Sequence, residues 1–472
     1  MSKYEVTIGL EIHAELNTKT KAFCGCANEY GAKPNTNVCH VCLAIPGTLP
    51  LINRAAVEKT IAAGLAIDCK INDIAVFERK HYFYPDLAKG YQISQLEKPI
   101  CLGGGIKLGT GKFIRLNRIH LEEDAGKLLH NAVSQISLVD YNRGGVPLIE
   151  IVTEPDIANA TEAVEFLEEV RQRLVYAGVA ECRMEQGGMR CDVNISLKPK
   201  GAKKLGNRCE VKNLNSFKSV ARAIEYEAKR QSELLDKGET ISVQTRKWDE
   251  GAGKTTLMRD KGEAYDYRYF PDPDIYPIRI TDRDVAEIKV AMPKLAHELK
   301  TQFVTEFGLP EYDAHVLTKN KLLAHFYLDC VTLLKEPKAV SNWTMVDIGK
   351  MMNDANTDVP PVTPAQLTEI IKMAMDKTIT KTIGLELLQK VSGDSRKSPK
   401  KIAKDMGLLD GVSDAEIKKI FEAVKKDKPA LVDDFKNNPQ KVLPFIIGQV
   451  MKNTRGRAKS EIVEKLAKEF FK

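Results

Sequence analysis

Acidic side chains are concentrated in one stretch of this chain, from Arg118 to Asp156. That stretch carries basic side chains only at Arg118, Lys127 and Arg143, although the whole chain has a formal net charge of +7. Its carboxylates are Glu122, Glu123, Asp124, Asp140, Glu150, Glu154 and Asp156. Adjacent carboxylates repel one another, and a cation that prefers oxygen ligands, such as Mg²⁺, would relieve that repulsion. The stretch therefore favours a metal site over a solvated acidic loop.

Two strand patterns would position metal-binding side chains. Polar and apolar residues alternate from Tyr4 to Leu16, so Glu11 and His13 share one face of a strand, roughly 7 Å apart. Glu150 and Glu154 share a face in a second alternating segment. Carboxylates on a half-buried face need cations or hydrogen-bond donors. For Glu11 and His13 alone, an exposed sheet edge is the alternative.

Groups suited to an anion lie nearby in the sequence. Arg143 follows Asn142 and precedes two glycines, which combines a fixed cation with a flexible backbone. Lys212 comes shortly before a helix that Asn215-Ser216 would cap, and a helix N-terminus attracts anions. These patterns favour a phosphate or carboxylate site.

Four cysteines form two close pairs in a loop rich in Gly, Pro and Asn. They are Cys24, Cys26, Cys39 and Cys42. Two thiol pairs at this spacing match a tetrahedral structural zinc site, with His40 as a possible substitute ligand. The other cysteines are isolated and are expected to be small buried hydrophobic residues.

Composition indicates an ordinary water-soluble protein. The chain has 472 residues, of which 43% are hydrophobic and 29% charged. No apolar run approaches the roughly 18 residues of a membrane span, and residues 1–12 have no signal-peptide character. A cytoplasmic location is therefore expected, with no membrane partner.

Strand patterns dominate up to about residue 290, and helical spacing dominates after it. Breaks at residues 359–364 and 392–395 divide the helical part further. We predict domains at 1–290, 291–405 and 406–472. Residues 452–459 carry four cations around a glycine, which would suit a phosphate backbone, with a solvated loop as the alternative.

Several long motifs, in order along the chain, carry a family resemblance. They are IGLEIHAEL, PNTNVCHVCLAIPGTLP, HYFYPDLAKGYQISQ, IHLEEDAGK, SLVDYNRGGVPLIEIVTEPDI, RCDVNISL, EVKNLNSF, TTLMRDKGEAYDYRYFPDPDI, GLPEYDAHVLT and GQVMKNTRGRA. Together they closely resemble the B subunit of the aspartyl/glutamyl-tRNA amidotransferases (GatB). The resemblance implies an α+β, glutamine synthetase-like catalytic cradle with a mainly antiparallel sheet, an all-α middle domain and a small helical tail.

The resemblance also implies a ligase reaction. ATP would phosphorylate the side-chain carboxylate of glutamate or aspartate mis-attached to tRNA(Gln) or tRNA(Asn), and ammonia would then displace phosphate. Ammonia would come from an amidase (glutaminase) partner, the A subunit, with a small C subunit completing a heterotrimer. Lys80 would lie near the end of the ammonia path. ATP, Mg²⁺ and a structural Zn²⁺ are the expected cofactors.

Specific residues follow for each role. The expected Mg²⁺ ligands are Glu11, His13, Glu123 and Glu150. Glu123, Glu150, Arg143 and Arg190 are the expected catalytic residues, with the two arginines meeting phosphate or the substrate carboxylate. The expected nucleotide-binding residues are Asp140, Asn142, Asp192, Asn194 and Lys212. The expected tRNA contacts of the tail are Gln449, Lys452, Arg455, Arg457 and Lys459.

Two other classes remain open from the sequence. The chain could be a non-catalytic tRNA-binding subunit, against which the acidic strands argue. It could also be a free-standing ligase that amidates a small acid, against which the basic tail argues. The sequence leaves open whether Glu-tRNA(Gln), Asp-tRNA(Asn) or both are substrates.

Overall fold

The chain divides into two compact units. The computed structural model describes residues 3–131, 135–260, 266–409, 412–454, 458 and 460–471. One unit comprises residues 1–295 and the other residues 296–472. The predicted subdivision of the second unit near residue 405 stays a prediction.

Strands and helices alternate irregularly in the first unit. The strands are β1 Tyr4–Glu15, β2 Lys70–Ile71, β3 Ile74–Ala75, β4 Glu78–His81, β5 Tyr91–Ser94, β6 Cys101–Leu102, β7 Gly105–Lys107, β8 Phe113–Glu123, β9 Lys127–Asn131, β10 Ile136–Asp140, β11 Pro147–Thr153, β12 Met189–Pro199, β13 Cys209–Leu214, β14 Gln244–Asp249, β15 Lys254–Asp260, β16 Phe270–Pro271 and β17 Ile278–Arg279. The helices are α1 Arg54–Ala66, α2 Ala160–Tyr176, α3 Phe217–Asp236 and α4 Asp282–Ala291, with a 3₁₀ turn at Met184–Gln186.

The second unit is helical throughout its described residues. Its helices are α5 Ala296–Thr305, α6 Glu311–Thr318, α7 Lys321–Leu334, α8 Pro337–Asn342, α9 Gly349–Asp354, α10 Pro364–Met375, α11 Lys381–Val391, α12 Pro399–Asp405, α13 Asp414–Asp427, α14 Leu431–Asn437, α15 Pro439–Asn453 and α16 Ser460–Phe470. A π-helical turn, Trp343–Ile348, joins α8 to α9. No described helix is long and apolar enough to cross a membrane.

One large sheet organises the first unit. Its strand order is β15-β14-β13-β12-β1-β11-β8-β6-β2, with β7 paired to β8. Only β13 and β14 are parallel among these pairs, so the predicted mainly antiparallel sheet is confirmed. The register places His13 of β1 opposite Glu150 of β11 and Arg190 of β12. The next strand places His120 of β8 opposite Glu150.

The two faces of β1 differ as the alternation predicts. Ile8, Leu10 and Ile12 are at most 1% exposed on the core side. Glu11 and His13 are half-buried on the other side. Helix α3 packs against β12 and α2 packs against α3, which covers the apolar face. The sheet therefore buries one face by the hydrophobic effect and leaves the other for polar groups.

The expected α+β part followed by helices is confirmed. The last helices surround an apolar cluster of their own, which includes Phe421, Phe435, Ile446 and Phe471. This cluster is consistent with a separately packed tail.

We expect Gly64→Ala to lower the free energy of unfolding of the first unit by about 1–3 kcal/mol. A Cβ atom on Gly64, in α1, would lie 2.5 Å from Cys101 Sγ and 2.9 Å from Ile71 Cδ1. Gly448→Ala is the matched control, because nothing lies within 4 Å of its added Cβ and alanine favours the helix by about 1 kcal/mol. Urea unfolding measures both. Equal midpoints for the two variants would contradict the packing described here.

Candidate active site

The polar face of the sheet gathers two imidazoles and two carboxylates. His13 Nε2 lies 3.6 Å from Glu122 Oε1 and 3.5 Å from Glu150 Oε2. His120 Nε2 lies 3.5 Å from an oxygen of each of the same carboxylates. Glu122 and His120 are almost completely buried. We call His13, His120, Glu122 and Glu150 the imidazole–carboxylate cluster.

Opposite charges stabilise this cluster. Burial by itself would raise the pKa of the Glu150 carboxyl, but the facing His120 and His13 imidazoles hold that pKa below its usual range. Burial by itself would lower the pKa of His13, but its contact with Glu150 and the charge of Glu122 raise it. Ligand atoms of His13, Glu122 and Glu150 lie within 4.8 Å of one another, a spacing that one divalent cation can bridge.

A second acidic group adjoins the first on strands β1, β12 and β13. Ligand oxygens of Glu11, Asp192 and Glu210 lie within 4.8 Å of one another. Lys212 Nζ contacts Asp192 and lies 2.9 Å from Glu210 Oε1. Burial raises the pKa of Glu11, and the charges of Glu150 and Glu210 raise it further. The two groups therefore interact electrostatically across the sheet face.

The second group includes a hydrogen-bond acceptor without a donor, the side-chain oxygen of Asn194. Asn194 Nδ2 donates to Glu11 Oε1 at 2.9 Å, which turns the amide toward the carboxylates. Asn194 Oδ1 is buried and has no hydrogen-bond partner among the described residues. Hard oxygen donors with an unused carbonyl oxygen beside them fit Mg²⁺. We call Glu11, Asp192, Asn194, Glu210 and Lys212 the second acidic cluster.

Glu123 lies apart from both clusters, which corrects its expected grouping with Glu11, His13 and Glu150. Its carboxylate accepts from Lys89 Nζ at 2.6 Å and from the Ile93 backbone N–H at 3.0 Å. Adjacent residues on a strand point to opposite faces, so Glu122 occupies the place expected for Glu123. The sequence motif alone does not distinguish the two.

The two arginines lie together around one aspartate. Arg190 forms an ion pair with Asp124, and Arg143 Nε lies 3.5 Å from Asp124 Oδ2. Arg143 also donates to the carbonyl oxygens of Ala125 and Gly126. Arg143 is thus occupied in shaping the loop after β8, whereas Arg190 Nε is buried without a partner among the described residues.

Asp140 and Asn142 are separate from Asp192, Asn194 and Lys212, so the expected nucleotide-binding residues do not form one group. Asp140 Oδ1 accepts from the backbone N–H of Asn35, and Asn142 Oδ1 from that of Asn37. These bonds hold the cysteine loop against the end of β10, which pairs with β9 in a separate two-stranded sheet, and this is a structural task.

The four cysteines come together as the spacing predicts. Cys42 Sγ lies 3.6 Å from Cys24 Sγ, 3.8 Å from Cys39 Sγ and 3.9 Å from Cys26 Sγ. Four thiolates about 2.3 Å from a zinc ion would stand roughly 3.8 Å apart. A hydrogen bond from Cys24 lowers the pKa of Cys42 to about 4, although burial opposes this, and the Lys21 charge contributes. The donor set fits zinc.

The expected tRNA-contacting residues are only partly described. Gln449 and Lys452 lie on α15, where Lys452 is exposed and Gln449 half-buried. Arg455, Arg457 and Lys459 lie outside the described residues.

Sequence reasoning missed His120, Glu122 and Glu210 as members of the two clusters, and it missed Lys89 as the partner of Glu123. Alternation in β8 contained a usable signal, since His120 and Glu122 share its parity and lie opposite Glu150 and Leu148. Lys89 comes from a loop with no comparable pattern.

A mainly antiparallel sheet whose polar face carries imidazoles and carboxylates, followed by a helical unit, defines an α+β protein with candidate metal sites. The chain belongs to the GatB/GatE family: residues 6–286 match the family's "GatB/GatE catalytic domain" and residues 325–470 its "GatB domain". The family resemblance read from the motifs is confirmed.

Curated relatives match along their whole length. The protein from Thermoanaerobacter sp. strain X514, named as the B subunit of aspartyl/glutamyl-tRNA(Asn/Gln) amidotransferase, is 45% identical, and the match covers 99% of each chain. Proteins of the same name from Caldicellulosiruptor saccharolyticus and Clostridium tetani are 46% identical, over 99% of this chain and 99% and 98% of theirs. The part that matches the catalytic domain contains the imidazole–carboxylate cluster, the second acidic cluster and the cysteine loop.

We expect Lys89→Met to lower the free energy of unfolding by about 3–5 kcal/mol, because it leaves the buried Glu123 charge unpaired. The double variant Lys89→Met/Glu123→Gln should regain much of that loss, since the unpaired charge is then gone. Lys107→Met, at an exposed site on β7, is the control and should change little. Additive effects of the two substitutions in urea unfolding would show that the pair is not coupled.

Proposed function

We propose that this chain activates the side-chain carboxylate of a mischarged aminoacyl-tRNA with ATP and directs its conversion to the amide. The substrates are Glu-tRNA(Gln), Asp-tRNA(Asn) or both. Near-complete matches to proteins named as B subunits carry this proposal. The imidazole–carboxylate cluster and the second acidic cluster, which lie within the catalytic-domain match, support it.

The chemistry explains why cations are needed. A carboxylate is a poor acyl donor because oxide is a poor leaving group. Phosphorylation corrects this: a carboxylate oxygen bonds to the γ-phosphorus while the bond to the ADP oxygen breaks. Ammonia then adds to the acyl carbon, inorganic phosphate leaves and a proton is released, giving the amide. The first step brings two anions together, so it depends on positioning and charge neutralisation.

The chain's own residues divide this task. His13, Glu122 and Glu150 would hold one Mg²⁺, and Glu11, Asp192 and Glu210 a second. Bound Mg²⁺ neutralises phosphoryl oxygens. Within the second acidic cluster, Asn194 and Lys212 orient the carboxylates through their contacts with Glu11, Asp192 and Glu210. Arg190, with its unpartnered Nε, would meet an anionic oxygen of the substrate.

The remaining components are proposed on the relatives' name and on the chain's charge. An amidase, the A subunit, would supply ammonia, and a small C subunit would complete a heterotrimer in the cytoplasm. The helical tail, with Lys452 exposed on α15, would contact the tRNA backbone.

We expect Glu122→Gln, in the assembled complex, to slow acyl phosphate formation on mischarged tRNA by at least about 100-fold, because a ligand charge is lost. Glutamine hydrolysis by the partner amidase should persist. Glu154→Gln is the matched control: it makes the same change near the end of β11, where Glu154 accepts from Asn117 outside both clusters. Rapid-quench assays with radiolabelled ATP measure the step.

Three results would contradict the proposal. Wild-type rates in Glu122→Gln would exclude Glu122 as a ligand. A wild-type complex that binds tRNA without tRNA-dependent ATP consumption would indicate a tRNA-binding subunit. Efficient amidation of free glutamate would indicate a free-standing ligase.

The cysteine loop would hold one structural zinc ion, because four thiolates leave no position for a substrate or water. We expect Cys42→Ser to lose tightly bound zinc and to lower the melting temperature of the first unit, because metal binding adds to folding free energy. Cys330→Ala, on α7, should keep the zinc. Elemental analysis of chelator-washed protein checks this. A zinc-free but equally stable wild type would refute the assignment.

A further inference from the structure

Lys80, on β4, is a cation held by aromatic rings. Its Nζ lies 5.0 Å from the centroid of the Tyr267 ring and 5.9 Å from that of Tyr82. The side chain is half-buried. In the described part of the chain, no carboxylate lies within ion-pair distance of Nζ and no acceptor is hydrogen-bonded to it. Ring faces stabilise a cation without neutralising its charge.

Neighbouring cations are bound differently. Lys89 Nζ lies 2.6 Å from a Glu123 oxygen, and Lys212 Nζ lies 2.9 Å from one of Glu210. Arg190 is paired with Asp124. Their charges are largely compensated, whereas all three donors of the Lys80 ammonium are free of described partners.

Strand β5 connects Lys80 to the imidazole–carboxylate cluster. Lys80 lies opposite Gln92 in the pairing of β4 with β5, and Ser94 Oγ, two residues further along β5, donates to Glu122 Oε2 at 3.2 Å. Burial by itself would lower its pKa, but the charges of Glu122 and Glu150, with Tyr269, raise the pKa above its usual value. The Lys80 charge in turn helps to hold the pKa of Glu150 low. Lys80 is therefore a permanent ammonium at neutral pH, unsuited to acting as a base, and its field reaches the proposed metal ligands.

The Tyr267 ring that faces Lys80 belongs to the segment just before β16, and this part of the chain contacts β4 at several points. β16 pairs with β4, and the His81 backbone N–H donates to the Tyr267 carbonyl oxygen at 2.9 Å. Arg79 binds Asp272 at 2.8 Å and Asp274 at 2.6 Å. On the far side of β4, His81 stacks on Phe270 at 4.9 Å between centroids. These contacts fix residues 267–274 against β4, the strand that carries Lys80.

We propose that Lys80 binds a phosphoryl oxygen of the substrate while the phosphoryl group passes to the tRNA-linked carboxylate. This inference rests on the proposed function and assigns a further substrate-contacting residue to it. The carboxylate-oxygen bond to phosphorus forms as the bond to the ADP oxygen breaks, and Lys80 donates a hydrogen bond without transferring its proton. An ammonium acts as a point charge and suits a phosphoryl oxygen, whereas a carboxylate is matched better by a bidentate arginine.

The positive charge of Lys80 explains why we assign it to a phosphoryl oxygen rather than to ammonia. A permanent ammonium repels an incoming ammonium ion and cannot remove a proton from ammonia. The same charge opposes the repulsion between a phosphoryl group and the buried Glu122 and Glu150 carboxylates.

The test compares Lys80→Met, Lys80→Arg and the control Lys107→Met in the assembled complex. Acyl phosphate formation, amidation of pre-formed acyl phosphate with ammonium salts, tRNA affinity and melting temperature are measured for each. We expect Lys80→Met to slow acyl phosphate formation about 100- to 1,000-fold in kcat, the range seen when one charge-stabilising donor is removed. The affinity for tRNA and the rate of glutamine hydrolysis should be unchanged, and Lys80→Arg should regain at least about tenfold.

Three outcomes would overturn the assignment. The first is a wild-type rate of acyl phosphate formation in Lys80→Met. The second is normal acyl phosphate formation with failed amidation in Lys80→Met, which would show that Lys80 acts in the addition of ammonia. The third is an equal loss of activity and melting temperature in Lys80→Met and Lys80→Arg, which would make its role structural. Failure of the proposed function itself is distinguishable, because the wild-type complex would then form no acyl phosphate.

Discussion

The burial of several like-charged carboxylates on one sheet face is the constraint on which the rest of this structure depends. An isolated charged carboxylate is costly to remove from water, and two carboxylates side by side are costlier still. The chain compensates with imidazoles at Glu122 and Glu150 and with Lys212 at the second acidic cluster. The same arrangement that stabilises these charges suits divalent cations.

The architecture around the site follows from that requirement. A sheet gives side chains fixed positions about one pleat apart, and covering its other face with apolar residues and helices makes those positions rigid. Asp140 and Asn142 tie the cysteine loop to the end of β10, which lies outside the large sheet. Two residues that resemble ligands in sequence therefore act as structural braces.

Cations at the site fall into two kinds. Lys89, Lys212 and Arg190 are bound to carboxylates, and their main effect is to fix those carboxylates and reduce their repulsion. Lys80 instead lies against aromatic faces, which keep its charge available. A reaction between two anions uses both kinds of cation. The paired cations fix the carboxylates of the site, and the unpaired cation stabilises the negative charge of the substrate.

The sequence by itself determined the family through long motifs, and the family resemblance implied the mainly antiparallel α+β unit. The period of two, a local property, determined the face shared by Glu11 and His13. The sequence also indicated the cysteine group through spacing. Only the tertiary structure decided that Glu122 rather than Glu123 joins His13, and that Lys80 meets Tyr267. Parity tells which residues share a face, but strand order and register decide which strands adjoin, and these depend on contacts between residues far apart in the chain.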